Sequence, residues 1–189
     1  MVAIVSGFAP GLELGLRMGA GGPSAGRNGE ALHVNVVTGN LVLQDQDDYL
    51  AARGGGHVAT RTYNSAGLFD EDNGDQWRMD AVRARLEGAL NAPESTVRRT
   101  DKDGSSAVYA YDSALGLYVT TEGPGAHDTI AYIAADAQFE WRDGGTGAMQ
   151  RFEATGAGRM LRSADTGGNA LVYAYDASGL LASVTANNG

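Results

Sequence analysis

The segment Ala170-Leu-Val-Tyr-Ala-Tyr-Asp-Ala-Ser-Gly-Leu-Leu-Ala-Ser-Val-Thr185 limits the fold more than any other stretch of this 189-residue chain. A short alternating strand runs into Tyr-Asp, a Gly-bearing turn follows, and a second apolar strand begins at Leu180. Hairpin units of this kind build a sheet by stacking their neighbours. An echo stands upstream at Val108-Tyr-Ala-Tyr-Asp112, where Ser113-Ala-Leu-Gly116 is one residue longer before its Gly. It reads as a degenerate repeat or a chance echo. Alternation puts Leu171, Tyr173 and Tyr175 on one face and Val172, Ala174 and Asp176 on the other. Both sets are apolar or small apart from the acid, so the sheet is expected to pack on both sides. Asp176 is expected to accept hydrogen bonds from turn amides ahead of Gly179.

The rest of the chain fits the same plan. It holds 28 glycines, about twice the usual share, and they mostly sit between short apolar runs. Strands are expected at Leu32–Val37, Leu41–Gln44, His57–Tyr63, Trp77–Glu87, Val97–Thr100, Ala107–Asp112, Gly116–Thr121, Thr129–Ile133 and Ala137–Arg142. Gln150–Ala154, Met160–Ser163, Leu171–Asp176 and Leu180–Thr185 continue the series. Trp77–Glu87 has a composition that also suits a helix, but its alternation and its β surroundings favour a strand. The fold class is therefore all-β, an antiparallel hairpin meander. Residues 1–30 are rich in Gly, Ala and Pro and read as a leader or linker, with a short strand conceivable at Leu12, Leu14 and Leu16. Residues 31–189 form the sheet. The chain stops at Gly189 just after a strand, which suggests a fragment of a longer array.

Composition excludes several functions. With 14 Lys plus Arg against 23 Asp plus Glu, the net charge is −9, which disfavours nucleic acid and anionic lipid. No run reaches the roughly 18 apolar residues of a membrane helix, so no membrane span is expected. The absence of Cys removes disulfides, thiolate metal sites and thiol nucleophiles.

Candidate sites are few. Asp70-Glu-Asp-Asn-Gly-Asp75 is the densest acidic cluster and has oxygens suited to Ca²⁺. Its spacing fails the EF-hand pattern, because Gly74 falls at the fifth position and Ala81 at the twelfth; a solvated turn is the favoured reading. His33, His57 and His127 lack metal-ligand spacing and read as structural. Gly19–Gly26 lacks the Lys of a phosphate-binding loop. Glu140 and Asp143 are an acidic pair of a kind that glycosidases use, without a separation that sequence can supply. Tyr173 and Tyr175 present rings able to stack on sugars, although cross-strand packing is the commoner role. No catalytic, cofactor or metal site is assigned, and no enzymatic activity is expected.

Several of these pieces also stand in the order of a known family. Val34-Asn-Val-Val-Thr-Gly-Asn-Leu41, Thr60-Arg-Thr-Tyr-Asn-Ser65 and Asn73-Gly-Asp-Gln-Trp77 resemble the opening of an RHS (rearrangement hotspot), or YD-repeat, protein. Asp143-Gly-Gly, Arg151-Phe-Glu153, Asp165-Thr-Gly-Gly-Asn169 and Tyr173-Ala-Tyr-Asp-Ala-Ser-Gly-Leu-Leu181 continue that pattern. The resemblance runs from Leu32 to Gly189. It departs from the family in lacking the self-cleaving aspartate protease core and any C-terminal toxin domain. What it implies is a secreted or cell-surface bacterial protein whose β-ribbon spirals into a shell around a toxin or other cargo. This chain would be the N-terminal part of that shell, its partners being the rest of the shell and the enclosed cargo. An adhesin module that binds cell-surface carbohydrate through its tyrosine-bearing face is the alternative.

Overall fold

The computed structural model describes residues 3–5, 24–25, 30–35, 39–50, 57–66, 76–79, 84–101, 106–120 and 126–187. Sixteen strands and no helix lie among them. The chain divides into two compact units. One comprises Met1–Leu50, His57–Arg83 and Thr100–Ser106, the other Ala51–Gly56, Ala84–Arg99 and Ala107–Gly189.

The first unit is built on a six-stranded sheet. Its strands are β1 (Ala3–Val5), β2 (Ser24–Ala25), β3 (Ala31–Asn35), β4 (Leu41–Leu50), β5 (His57–Asn64) and β6 (Trp77–Met79). The order is β1-β3-β4-β5-β6, with β2 also on β3; β1 runs parallel to β3 and the other pairs are antiparallel. Two strands therefore arise within the first thirty residues, while Leu12, Leu14 and Leu16 lie outside the described residues. Strand β4 runs six residues beyond the expected Gln44 because Arg61, opposite Asp45, holds its acidic stretch. Nε of Arg61 lies 2.6 Å from Asp47 and Nη2 3.0 Å from Asp45. The sheet's faces differ. His33, Val42, Thr62 and Asn64 are buried, whereas Leu32, Leu41, Leu43, Tyr63 and Trp77 are half-buried.

The second unit is a ten-stranded antiparallel meander in which every strand neighbours the next in sequence. It runs through β7 (Arg85–Gly88), β8 (Thr96–Thr100), β9 (Ser106–Asp112), β10 (Leu117–Val119) and β11 (Thr129–Ile133). It continues through β12 (Gln138–Arg142), β13 (Met149–Glu153), β14 (Met160–Ala164), β15 (Ala170–Tyr175) and β16 (Leu181–Ala186). The sheet rolls far enough for β7 to meet the β13–β14 turn: Leu86 donates its N–H to the Gly158 carbonyl at 3.0 Å, and Arg85 bridges to Arg159. The concave face is the core. Leu86, Val97, Tyr109, Tyr118, Ile130, Phe139, Trp141, Phe152, Met160 and Tyr173 all point into it.

Two expectations need correction. Trp77–Glu87 is not one strand: Trp77–Met79 pairs with β5 in the first unit, and Arg85–Gly88 belongs to the meander. The alternation that suggested continuity is met by two unrelated pairings, Trp77 with Tyr63 and Leu86 beside Gly158. Nor does β15 pack on both faces. Tyr173 is buried, but Val172 is 43% exposed and Ala174 is open. The small or apolar residues of that outer face meet no covering layer among the described residues.

Candidate functional site

The segments Gly39-Asn40 and Tyr63-Asn-Ser65, far apart in sequence, meet at one corner of the first unit. Oδ1 of Asn40 accepts hydrogen bonds from Ser65 Oγ at 2.8 Å and from the Ala66 N–H at 2.9 Å. Ser65 Oγ in turn accepts from the Leu41 N–H, and the Ser65 N–H donates to the Leu41 carbonyl. Asn64 Oδ1 takes the Ala66 N–H at 3.1 Å. Gly39, at φ +74°, makes the turn that brings Asn40 inward. Both Asn side chains are nearly inaccessible, 2% and 0% exposed. The corner is a hydrogen-bonded clasp built on the side-chain oxygens of Asn40, Asn64 and Ser65.

A second device recurs along the meander. Asp176 Oδ1 accepts the N–H groups of Ser178 and Leu180, each at 2.9 Å, and Gly179 closes the turn at φ +81°. Asp112 accepts from Ala114 and Leu115 before Gly116 at +68°, and Asp143 accepts from Gly145 and Thr146 before Gly147 at +73°. Asp165 accepts from Asn169 N–H and Nδ2, around Gly168 at +86°. An aspartate thus caps the amides of a turn that a left-handed glycine completes. The expectation for Asp176 is met, and the Val108–Asp112 copy is the same device with one more residue. The constraint at Gly179 is its left-handed backbone; a Cβ there would also sit 2.9 Å from Nη1 of Arg159, the end of a side chain that can shift aside. Gly179→Val is expected to cost about 2 kcal/mol more than Ser178→Val. Urea denaturation checks this, and equal losses would dissociate the glycine from the turn.

The tyrosines preceding these turns are engaged internally. Tyr173 is 7% exposed, with Oη 3.4 Å from Ser163 Oγ. Tyr175 donates to the Met160 carbonyl at 2.7 Å, and the Arg159 guanidinium lies over its ring, 4.7 Å from the centroid. Burial pushes the Tyr175 phenol up to about 12. Arg159 also grips Glu153 in a two-pronged ion pair at 2.9 and 2.7 Å, which holds that carboxyl below its ordinary range.

Sequence reading missed the polar chain threading the meander's core. Trp141 Nε1 donates to Tyr109 Oη at 3.2 Å, and Tyr109 donates to Asp128 Oδ2 at 3.4 Å. The other Asp128 oxygen accepts the Gly144 N–H at 2.9 Å. Arg99, 7% exposed, lies 3.9 Å over the Trp141 ring and donates to Gln150 at 2.9 Å. The signal that could have found it is the polar end of each aromatic, since a buried Trp or Tyr needs a partner.

The other sequence candidates do not converge. Glu140 lies on a strand, paired with Arg151 and Arg142 at 3.1 Å each, while Asp143 caps its turn. His127 is exposed in a turn, and the His57 side chain and Asp70–Asp75 lie outside the described residues. Among the described residues no group of three or more His, Asp or Glu is placed to hold a metal. His33 is buried at 3% exposure, and desolvation lowers its pKa below 6.5. The unfolded chain then binds the proton more readily than the fold. Stability is fully present above pH 6.5 and declines as pH falls through the window beneath it. The denaturation midpoint should drop on acidification from pH 7 to 5, and His33→Gln should flatten that slope.

Residues 32–109 match a family described as a domain of unknown function, DUF6531. That span contains the whole Asn40–Ser65 clasp and ends on the buried Tyr109. No curated protein matches the chain.

Proposed function

We propose that this chain is a non-enzymatic structural segment of a secreted bacterial protein of the RHS, or YD-repeat, type. In this reading it forms part of a β-sheet wall around a toxin or other cargo. One observation carries the proposal: the same aspartate-capped, glycine-closed turn recurs at four places along one continuous meander, with core tyrosines before its first and last copies. Side chains with chemical potential, namely the aspartates of these turns, Tyr175, Arg159 and Glu153, are committed to holding turns and strands. A polypeptide built this way offers surface and stiffness rather than a reacting group. The clasp within the DUF6531 match supports the reading as well. The motif residues that resemble the family are the ones that lock the first sheet's corner.

The test uses the product of the complete open reading frame in which these residues are encoded. Native protease treatment should spare residues 84–187 together with a second polypeptide region, which becomes cleavable only when the sheet unfolds. Cleavage of that region at the same rate with and without the folded sheet rejects enclosure. Recovery of the protein solely from the cell interior rejects the secreted assignment.

A further inference from the structure

Strand β14 carries an extra residue where it meets β13. The register passes from Arg151 opposite Arg162 to Phe152 opposite Met160, so Leu161 is bulged out of the ladder. Strict alternation would put Arg162 on the same face as Met160, which is buried in the core. The bulge turns Arg162 to the convex face instead, directly across from Arg151. Residues so placed have Cβ atoms about 4.5–5.5 Å apart, and like charges in that position oppose each other. The same cross-strand row continues to Glu140 on one side, and to the exposed Val172 and then Thr185 on the other.

The other charges of this region have partners. Arg151 gives Nε to Glu140 at 3.1 Å and Nη1 to Asp136 at 3.3 Å, which leaves its Nη2 uncommitted among the described residues. Glu140 also takes Nη2 of Arg142 at 3.1 Å. Glu153, two residues beyond Arg151 on β13, is held by both prongs of Arg159. The acids that follow β14 and β15, Asp165 and Asp176, accept the amides of their own turns. Arg162 is the guanidinium left over, with no hydrogen-bond or ion-pair partner among the described residues. A surplus cation in a chain of net charge −9 is a local inversion of the surface. We infer that Arg151 and Arg162 form an oxyanion site. Nη2 of the first and the planar fork of the second offer donors to two oxygens on one centre, as a carboxylate or a tetrahedral phosphate or sulfate presents them. The ligand's charge offsets the opposition between the two guanidinia, and the uncovered Val172 side of the row leaves it a way in.

The test follows the arginine Nε–H signals of the whole chain by two-dimensional NMR at constant ionic strength, as chloride is exchanged for glutarate, inorganic phosphate or a tetraglutamate peptide. The Arg151 and Arg162 signals should shift together and saturate, while Arg61, paired with Asp45 and Asp47 on the other sheet, stays in place. Arg162→Gln should weaken binding, read at Arg151, about tenfold, and Arg162→Lys, which keeps the charge without the planar fork, about threefold. Asp136→Asn takes a competing carboxylate away from Arg151 and should tighten binding about twofold, a gain that a merely structural arginine pair would not show. Melting curves certify folding; if Arg162→Gln melts early, Arg162→Lys and Asp136→Asn carry the test. Tighter binding of tetraglutamate than of phosphate identifies an acidic polypeptide as the ligand's source, and the reverse order a free inorganic ion. Shifts at Arg61 equal to those at Arg162 mean general screening and overturn the site. Unchanged affinity in Arg162→Gln, or weaker binding in Asp136→Asn, overturns it too.

Discussion

Gly158→Ala should leave the meander largely unfolded under conditions where Gly156→Ala remains folded. The two glycines share one turn and both hold left-handed backbones, at φ +60° and +79°. A side chain at either costs about 1–2 kcal/mol through that conformation. They differ in what a Cβ would meet. At Gly156 nothing lies within 4 Å, whereas at Gly158 the Leu86 carbonyl oxygen would be 2.1 Å away. That oxygen belongs to the strand whose N–H bonds Gly158, so the clash drives β7 off the turn it closes against. Leu86, 1% exposed, would lose its cover at the same time. The expected loss is about 4 kcal/mol or more for Gly158→Ala, against about 1 for Gly156→Ala. Chemical denaturation of the two variants decides it; matching midpoints would mean that β7 does not depend on this approach.

Much of the meander is legible in the sequence, for a physical reason. Where one face is buried and the next strand is the neighbour, alternation and turn chemistry are local signals. Thr129–Ile133 lies in the structure as expected, Ala137–Arg142 begins one residue later, and Met160–Ser163 gains only Ala164. The Asp-to-Gly turn is likewise local, since the carboxylate reaches amides two to four residues on. What sequence does not encode locally is which distant backbone a strand approaches. The split of Trp77–Glu87 is of that kind, because nothing within the segment records that its halves face Tyr63 and Gly158. So is the buried chain at Asp128, whose partners Tyr109 and Gly144 stand 19 and 16 residues away. The turn at Ala134–Ala137 is legible only from the strands on either side of it, because Ala137 takes φ +51° where the four aspartate-capped turns use glycine. As for the site, the motif residues Asn40 and Ser65 were visible as a pattern, but their mutual bonding was not.

Phe139→Ala should be the most damaging side-chain truncation in the core, at about 3–5 kcal/mol. Phe139 is completely buried and sits near the centre of the rolled sheet, opposite Tyr132 on β11 and Phe152 on β13. Tyr132 meets its ring at a centroid distance of 5.6 Å with planes 61° apart, and Tyr118 at 6.1 Å and 83°. Both are edge-on arrangements that place a ring's positive rim against a neighbour's electron-rich face. Truncation therefore removes the burial of a whole aromatic and two oriented contacts, and it opens a void between strands whose own hydrogen bonds resist collapse. Phe139→Leu keeps most of the volume and should lose only about 1–1.5 kcal/mol. Leu115→Ala, on an exposed tip, should change stability by less than about 0.5 kcal/mol. Urea midpoints measured at constant m-value give the three numbers. If Phe139→Ala proved no worse than Leu115→Ala, the concave face would not be the source of the meander's stability, and the aromatic row from Tyr118 to Phe152 would need another purpose.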